Sequence, residues 1–213
     1  MQLSNDSLSQ MLAAAKPQKL AERYQKRRSA VAMVMDQDDL ANASLLLIQR
    51  AKYESDPWSG HMAFPGGRHE DYDRNGLATA KREMHEEVGF DIDQLEGAHT
   101  PGQVIGRLSD FSTRQRAIPI DMVVSPYVFL VEKRPHLTIN YEVADTVWIP
   151  LSYFADLRNR SSLQYSIAGK TVSLPCFRYS EEKVVWGMTL KMIDELLLIA
   201  GVAIPADRVS SVS

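Results

Sequence analysis

At 213 residues, 45% of them apolar and 24% charged, the chain can bury one substantial core and has the make-up of an ordinary globular protein. A net charge of only −3 gives no sign of a general nucleic-acid-binding surface, and no apolar run reaches membrane-spanning length. The single cysteine, Cys176, excludes an internal disulfide; it reads as a small buried apolar residue and suits a reducing, cytoplasmic setting. The start, Met1-Gln2-Leu3-Ser4-Asn5-Asp6, lacks the charged-then-apolar pattern of a secretory signal.

In chain order, residues 7–26 read as a helix with Leu8, Met11, Leu12 and Ala15 on one face and a break or kink at Pro17. Residues 29–35 have the short apolar character of a buried strand, and Asp36-Gln37-Asp38-Asp39 follows as a turn. Residues 44–50 form the next strand, and His61-Met62-Ala63-Phe64 a short one. Further strands are expected at 102–108, 122–131 and 141–148. Pro150 opens a short helical segment through Leu157, and a last helix covers 189–200 with Leu190, Ile193 and Leu197 in line. The expected organisation is an N-terminal helical extension over 1–28, one domain over 29–204, and a frayed tail over 205–213. Mixed strands flanked by helices give an α/β class protein, a layered α/β/α sandwich.

The chemistry concentrates in residues 67–90. Glu83, Glu86 and Glu87 sit at i, i+3 and i+4, so a helix crowds three carboxylates onto one side of about two turns. Like charges at that spacing repel, and a positive partner among them relieves the repulsion. Hard divalent cations take such oxygen ligands and share them with substrate phosphates. Arg82 lies four residues before Glu86 and is placed to brace it. Leu77, Met84 and Val88 form a separate apolar stripe for burial against a sheet, and Gly89 offers a left-handed stop. Ahead of the helix, Phe64-Pro65-Gly66-Gly67 can turn sharply and bring main-chain groups to a ligand. The plain alternative is a solvated acidic helix face. Arg50, at a strand end beside the turn, is a candidate bidentate phosphate ligand or half of a surface ion pair.

These residues resemble the Nudix box, Gly-x5-Glu-x7-Arg-Glu-U-x-Glu-Glu-x-Gly-U with U aliphatic. Gly67, Arg82, Glu83, Met84, Glu86, Glu87 and Gly89 match it. Asp73 stands in place of the first Glu, the following spacer is one residue longer, and Phe90 replaces the last aliphatic residue. The resemblance implies the Nudix fold and an Mg²⁺- or Mn²⁺-dependent pyrophosphohydrolase acting on a small-molecule nucleotide, a nucleoside diphosphate linked to another group. It assigns Glu83, Glu86 and Glu87 to the metal, with a carbonyl of the Gly-Gly turn. It also makes Glu142, six residues before Trp148, a candidate metal-binding or base residue, against the reading of an ordinary strand-end carboxylate. Either Glu86 or Glu142 would take the proton of the attacking water. Phe64, Gly66 and Gly67 join Arg50 as expected substrate contacts. Asp73 is expected to cap the helix or brace Arg82 rather than bind metal.

Within the family, the segment Ser59–Gly67, the longer spacer and Trp186-Gly187-Met188-Thr189 are similar to the coenzyme A pyrophosphatase branch. The expected products there are 3′,5′-ADP and a 4′-phosphopantetheine species. That branch's Leu-Arg-x-His run is absent, and His61 stands where Gln belongs, so ADP-ribose or a nucleotide sugar stays open as substrate. A catalytically silent nucleotide-binding module also stays open, favoured only by Asp73. His61, His85, Trp58 and Tyr127 have structural readings beside their functional ones, and Arg114-Gln115-Arg116 reads as a substrate loop or a solvated turn. No membrane or nucleic-acid partner is expected, and a homodimer is compatible with the sequence.

Overall fold

Two central strands point alternate residues into two different cores, and this organises the fold. Strand β1 (Arg27–Met35) directs Met33 and Met35 to one side and Ala30, Ala32 and Val34 to the other. Strand β2 (Ser44–Arg50) divides Leu45 and Leu47 from Leu46 and Ile48 in the same way. A sheet apolar on both faces has to be covered on both faces. The computed structural model describes residues 7–53, 58–93, 102–113, 121–167 and 170–204.

Among the described residues, eight strands form the main sheet. The others are β3 (Met62–Ala63), β4 (Gly66–Arg68), β5 (Gly102–Arg107), β6 (Phe111–Ser112), β7 (Met122–Val131) and β8 (Val143–Pro150). Strand β1 runs parallel to β7, from Arg27 opposite Met122 to Met35 opposite Leu130, and the remaining pairings are antiparallel. The sheet is therefore mixed. Helix α2 (Gly76–Val88) covers one face through Ala80, Met84 and Val88. Helices α1 (Leu8–Ala14), α3 (Leu151–Ala155) and α4 (Gly187–Ile199) place Leu8, Leu12, Phe154, Ile193 and Leu197 in the core on the other. The expected α/β/α sandwich is what forms. No described helix is long and apolar enough to cross a membrane.

On one side β1 has two partners. It meets β2 at Met35–Leu45, while Ser29–Val31 pair with β4. The two partners share that edge of β1, and the turn ending in Pro65-Gly66-Gly67 passes between, with Ala32 N–H donating to the Pro65 carbonyl at 2.7 Å. This is where the site is built.

Several local expectations change. The helix expected over 7–26 stops at Ala14, because Pro17 disfavours helical geometry at the residue before it. The chain continues extended and re-forms as a 3₁₀ turn, Ala21–Gln25, after Leu20 N–H is captured by the Asp110 carboxylate at 2.9 Å. The strand expected at 141–148 lies at Val143–Pro150, leaving Tyr141 and Glu142 in the preceding turn. A second, antiparallel sheet was not anticipated: β9 (Arg160–Ile167), β10 (Lys170–Arg178) and β11 (Val184–Trp186). Its strands hide from pattern reading because Ser161, Ser162, Gln164 and Ser166 are polar and Pro175 interrupts the run. The tail from residue 205 and Arg114-Gln115-Arg116 lie outside the described residues.

The second sheet is tied to α4 by a buried ion pair. Arg160 Nη1 and Nη2 donate to the two Asp194 oxygens at 2.6 and 2.7 Å, with the guanidinium 5.4 Å from the Phe177 ring centre. Removing one partner leaves the other charge buried and unmatched. Asp194→Ala should lower the unfolding free energy by about 3–5 kcal/mol in urea titration. A loss below about 1 kcal/mol would mean water reaches the pair.

Candidate active site

Helix α2 carries the carboxylates and is fixed at both ends. Asn75 caps it, its side-chain oxygen accepting from Ala78 N–H at 3.0 Å, and Gly89 ends it at φ 68° with its N–H on the His85 carbonyl. The stripe of Ala80, Met84 and Val88 turns toward the sheet and takes Glu87 with it. That carboxylate is only 2% exposed and accepts Gly66 N–H at 2.8 Å. Both glycines of the turn are required by close approach. A Cβ on Gly66 would stand 2.5 Å from the Ala30 carbonyl, and one on Gly67 would overlap the Glu83 carboxylate.

Four acidic side chains act on one another here. Burial pushes Glu87 up to about 8; the Gly66 N–H and Arg50 oppose the shift, and the charges of Glu83 and Glu142 add to it. Burial also raises Glu83, with Arg82 opposing and Glu86 and Glu142 adding. The fold thus brings Glu142 and Arg50, remote in sequence, to the helix carboxylates.

The placement of Glu142 and Arg50 has a visible cause. The residues before β8 are tied to the end of α2: Thr138 N–H donates to Val88 and Asn140 N–H to Glu87, at 2.9 and 3.1 Å. Across the sheet, Gln49 opposes Asp145 but Arg50 opposes Val143, so β8 carries a bulge at this point. The bulge turns Val143, like Trp148 five residues later, toward the α2 face. Glu142 lies in the turn just before it, its N–H donating to the Asn140 side-chain oxygen at 2.8 Å and its carbonyl accepting from Ala51 N–H at 2.8 Å.

Arg82 holds the carboxylates in order. Its Nη1 lies 2.9 Å from both Glu83 and Glu86, its Nη2 donates to the Arg68 carbonyl at 2.8 Å, and Nε and Nη2 fork onto Asp73 at 3.1 Å each. Asp73 is therefore the brace for Arg82, and Asn75 rather than Asp73 is the cap. Sequence reasoning missed two participants. Thr79 Oγ1 donates to Asp73 at 2.9 Å and lies 2.8 Å from His69 Nδ1, and Ser29 Oγ donates to the Gly67 carbonyl at 2.5 Å. Thr79 stands one turn before Glu83, but a single helical hydroxyl carries no signal by itself.

Other expected contacts fall elsewhere. The Phe64 ring is 3% exposed in the core, so it offers a ligand main-chain atoms only; a large apolar ring at a strand end is worth more buried. His61 packs edge-on to Trp186 with ring centres 4.8 Å apart, and Thr189 Oγ1 donates to the Met62 carbonyl at 3.0 Å. The tryptophan-to-threonine segment, the N-cap and first turn of α4, is thereby joined to the strand leading into the glycine turn. Tyr127 is half-buried, packed against the core under α2 with Arg107 over its ring, Trp58 is half-buried in a turn, and His85 is exposed.

The donor set suits a hard cation. Five carboxylates, Asp73, Glu83, Glu86, Glu87 and Glu142, share the guanidiniums of Arg50 and Arg82, so negative charge is in excess when all are ionised, a surrounding that suits a divalent ion. Among the described residues no three His, Cys, Asp or Glu side chains stand grouped so as to hold a metal ion. Glu83 and Glu86 are instead engaged by Arg82.

Burial raises the Asp73 pKa, but hydrogen bonds from Arg82, Glu70 N–H and Thr79 outweigh it and hold the carboxyl below its usual range. Asp73→Asn should cost about 1–3 kcal/mol of stability at neutral pH. A depressed folded-state pKa contributes stability above the unfolded value and loses it as pH falls through the folded one. The gap between the two proteins should therefore close below about pH 4. Urea titrations at pH 7 and pH 3 test this, and an equal gap at both would reject the ionised brace.

The NUDIX domain matches residues 26–167. The chain is 30% identical over 205 residues to an uncharacterized Nudix hydrolase, NudL, of Citrobacter koseri, covering 94% of this chain and 96% of that one. It is 26% identical over 171 residues to the peroxisomal coenzyme A diphosphatase NUDT7 of mouse, covering 78% and 66%. An uncharacterized Schizosaccharomyces pombe protein is 38% identical over 109 residues, and the match spans only 32% of its length and 51% of this chain. In structure, a Nudix hydrolase from Alicyclobacillus acidocaldarius superposes over 81% of this chain and 91% of its own, with TM-score 0.50 and 17% identity, a likeness of fold. Sequence, fold and carboxylate helix agree, and the chain belongs to the Nudix hydrolase family.

Proposed function

We propose that this chain is an Mg²⁺- or Mn²⁺-dependent pyrophosphohydrolase whose substrate is a nucleoside diphosphate linked to another group. The observation that carries the reading is the gathering of Glu83, Glu86, Glu87, Glu142 and Arg50 beside the Gly66-Gly67 turn. Glu83, Glu86 and Glu87 are the residues that would hold the cation, which would supply charge neutralisation of phosphate oxygens and acidification of water. Arg50 grips a phosphate of the anhydride, its planar fork matching two oxygens. Glu142 takes a proton from the attacking water as its oxygen bonds to phosphorus, and the bridging P–O bond breaks toward the leaving phosphate. Glu86 is the second candidate for that proton, but Arg82 Nη1 already donates to it at 2.9 Å, which occupies the oxygen that would face the water. Asp73, the one feature that favoured a silent module, keeps Arg82 in place through two 3.1 Å contacts.

Coenzyme A or an acyl derivative is the first choice of substrate, giving 3′,5′-ADP and a 4′-phosphopantetheine species. Support comes from Trp186-Gly187-Met188-Thr189, which the Thr189–Met62 bond fastens to the glycine turn's strand, and from the diphosphatase named among the relatives. ADP-ribose or a nucleotide sugar is the second reading, favoured by His61 packed on Trp186 where the coenzyme A branch has Gln. The lone, buried Cys176 suits a cytoplasmic setting.

Turnover should vanish with EDTA and return with Mg²⁺ or Mn²⁺. Glu83→Gln and Glu87→Gln should each lower kcat by a factor on the order of a hundred or more with the melting temperature maintained. Wild-type rates in both variants at saturating Mg²⁺ would remove them from the site. Glu142→Gln should cost about 10²–10⁴-fold, and a similar loss confined to Glu86→Gln would exchange the two roles. For the substrate, millimolar coenzyme A should be cleaved or should compete with any other substrate. If it does neither, the second reading stands.

A further inference from the structure

Three rings lead away from the phosphate side of the site. Strand β2 meets β3 with Ile48 opposite Ala63 and Gln49 opposite Met62, and the Arg50 N–H, donating to the His61 carbonyl at 3.0 Å, carries the pairing one position further. Ile48 and Ala63 both pack on the α2 side of the sheet. Arg50 and His61 stand two positions along from them, so both side chains leave toward that side from backbones about 5 Å apart. The His61 ring then meets Trp186 with centres 4.8 Å apart and planes at 65°, and Trp186 meets Tyr165 at 4.7 Å and 46°. Trp186 ends β11 as the N-cap residue of α4, and Tyr165 comes from β9, so the second sheet supplies the outer two rings. All three residues are half-buried. They form a wall with one side in the protein and one side open, and no two of its rings lie face to face.

We propose that the wall of His61, Trp186 and Tyr165 binds the nucleobase of the substrate, while Arg50 holds a phosphate on the carboxylate side. The inference deepens the hydrolase reading and rests on Arg50 as the phosphate ligand. A base is flat and rigid, and stacking on an aromatic side chain raises affinity roughly 5–100-fold whichever base it is. A thin, flexible chain such as a pantetheine arm gives up more freedom on binding and needs a closed channel to bury enough surface in return. A wall that is half open therefore suits the base. Its rings also have polar edges, the imidazole nitrogens, the indole N–H and the phenol, that can meet the edge of a base. The steps from Arg50 to His61, to Trp186 and to Tyr165 are each near 5 Å, a scale on which one ribose separates a base from its phosphate.

The test is calorimetric titration of the full chain, with Mg²⁺ present, using AMP, GMP, CMP, UMP and ribose 5-phosphate. These probes share a sugar and a phosphate, differ only in the base, and contain no anhydride to be cleaved. The wild type should bind at least one of the nucleotides about 5–100-fold more tightly than ribose 5-phosphate. Trp186→Ala should reduce that preference to within about twofold while leaving the affinity for ribose 5-phosphate unchanged, and Trp186→Phe should keep most of it. Tyr165→Ser, at the outer end of the wall, should lower the preference about threefold, and it carries the test alone if Trp186→Ala melts early. No preference in the wild type, or an undiminished one in Tyr165→Ser and in folded Trp186→Ala, overturns the inference. So does a loss of affinity for 4′-phosphopantetheine in place of the nucleotides, which would give the wall to the arm. Nucleotides held by these rings in a chain that turns over no nucleoside diphosphate derivative would uphold the base site and overturn the hydrolase reading.

Discussion

A carboxylate buried beneath a sheet edge is the constraint on which the rest of the site depends. Glu87 lies on the face of α2 that also carries Met84 and Val88, so the apolar stripe that docks the helix drags an acidic group under the strand turn. Leaving an ionised carboxylate there without partners costs several kcal/mol. The turn responds with the Gly66 N–H, and it reaches Glu87 only because Gly66 has no side chain to strike Ala30 on β1. Gly67 is needed for a different neighbour, the Glu83 carboxylate. Two adjacent glycines thus answer two separate steric demands, one from the sheet and one from the helix.

The shared edge of β1 makes room for this arrangement. Were β2 paired along all of β1, the glycine turn would have no backbone to bond, and Glu87 would face a closed sheet. Because β4 pairs with Ser29–Val31 and β2 pairs only at Met35, the turn becomes part of the sheet while remaining next to α2. The bulge of β8 opposite Gln49 and Arg50 works at the same border, turning Val143 to the helix side that Arg50 already faces in alternation with Leu46 and Ile48. Backbone irregularity is concentrated where the chemistry is, and the parallel β1–β7 pairing behind it is unbroken over nine residue pairs.

The replacement of Glu by Asp at position 73 shows how a shortened side chain is accommodated. Asp73 has one methylene less reach, yet it forks onto Arg82 at 3.1 Å on both contacts. Thr79 and the Glu70 N–H complete its hydrogen bonding, so the carboxylate is satisfied and stays ionised. The additional spacer residue lets Asn75 take the capping position separately. Bracing Arg82 and capping the helix are therefore divided between two side chains.

Much of this was determined by local sequence. The i, i+3, i+4 glutamates, Arg82 four residues before Glu86 and the left-handed stop at Gly89 follow from helical geometry, which repeats every few residues and can be read without the rest of the chain. The strands β1, β2 and β7 were legible because each carries a dense run of apolar residues, β7 in spite of Ser125-Pro126 at its middle. Tertiary structure decided what local pattern does not encode. The polar hairpin of β9 and β10 is ordered by pairing and by Arg160 on Asp194, 34 positions away, rather than by its own hydrophobicity. Phe64 is expected at a ligand, but its ring lies in the core, where a large apolar side chain gains more from burial than from a place at a polar site. Arg50 and Glu142 are 92 positions apart, and only the β2–β8 register with its bulge makes them neighbours of Glu87. Contacts across such separations depend on how strands align, and alignment is a property of the whole packed chain.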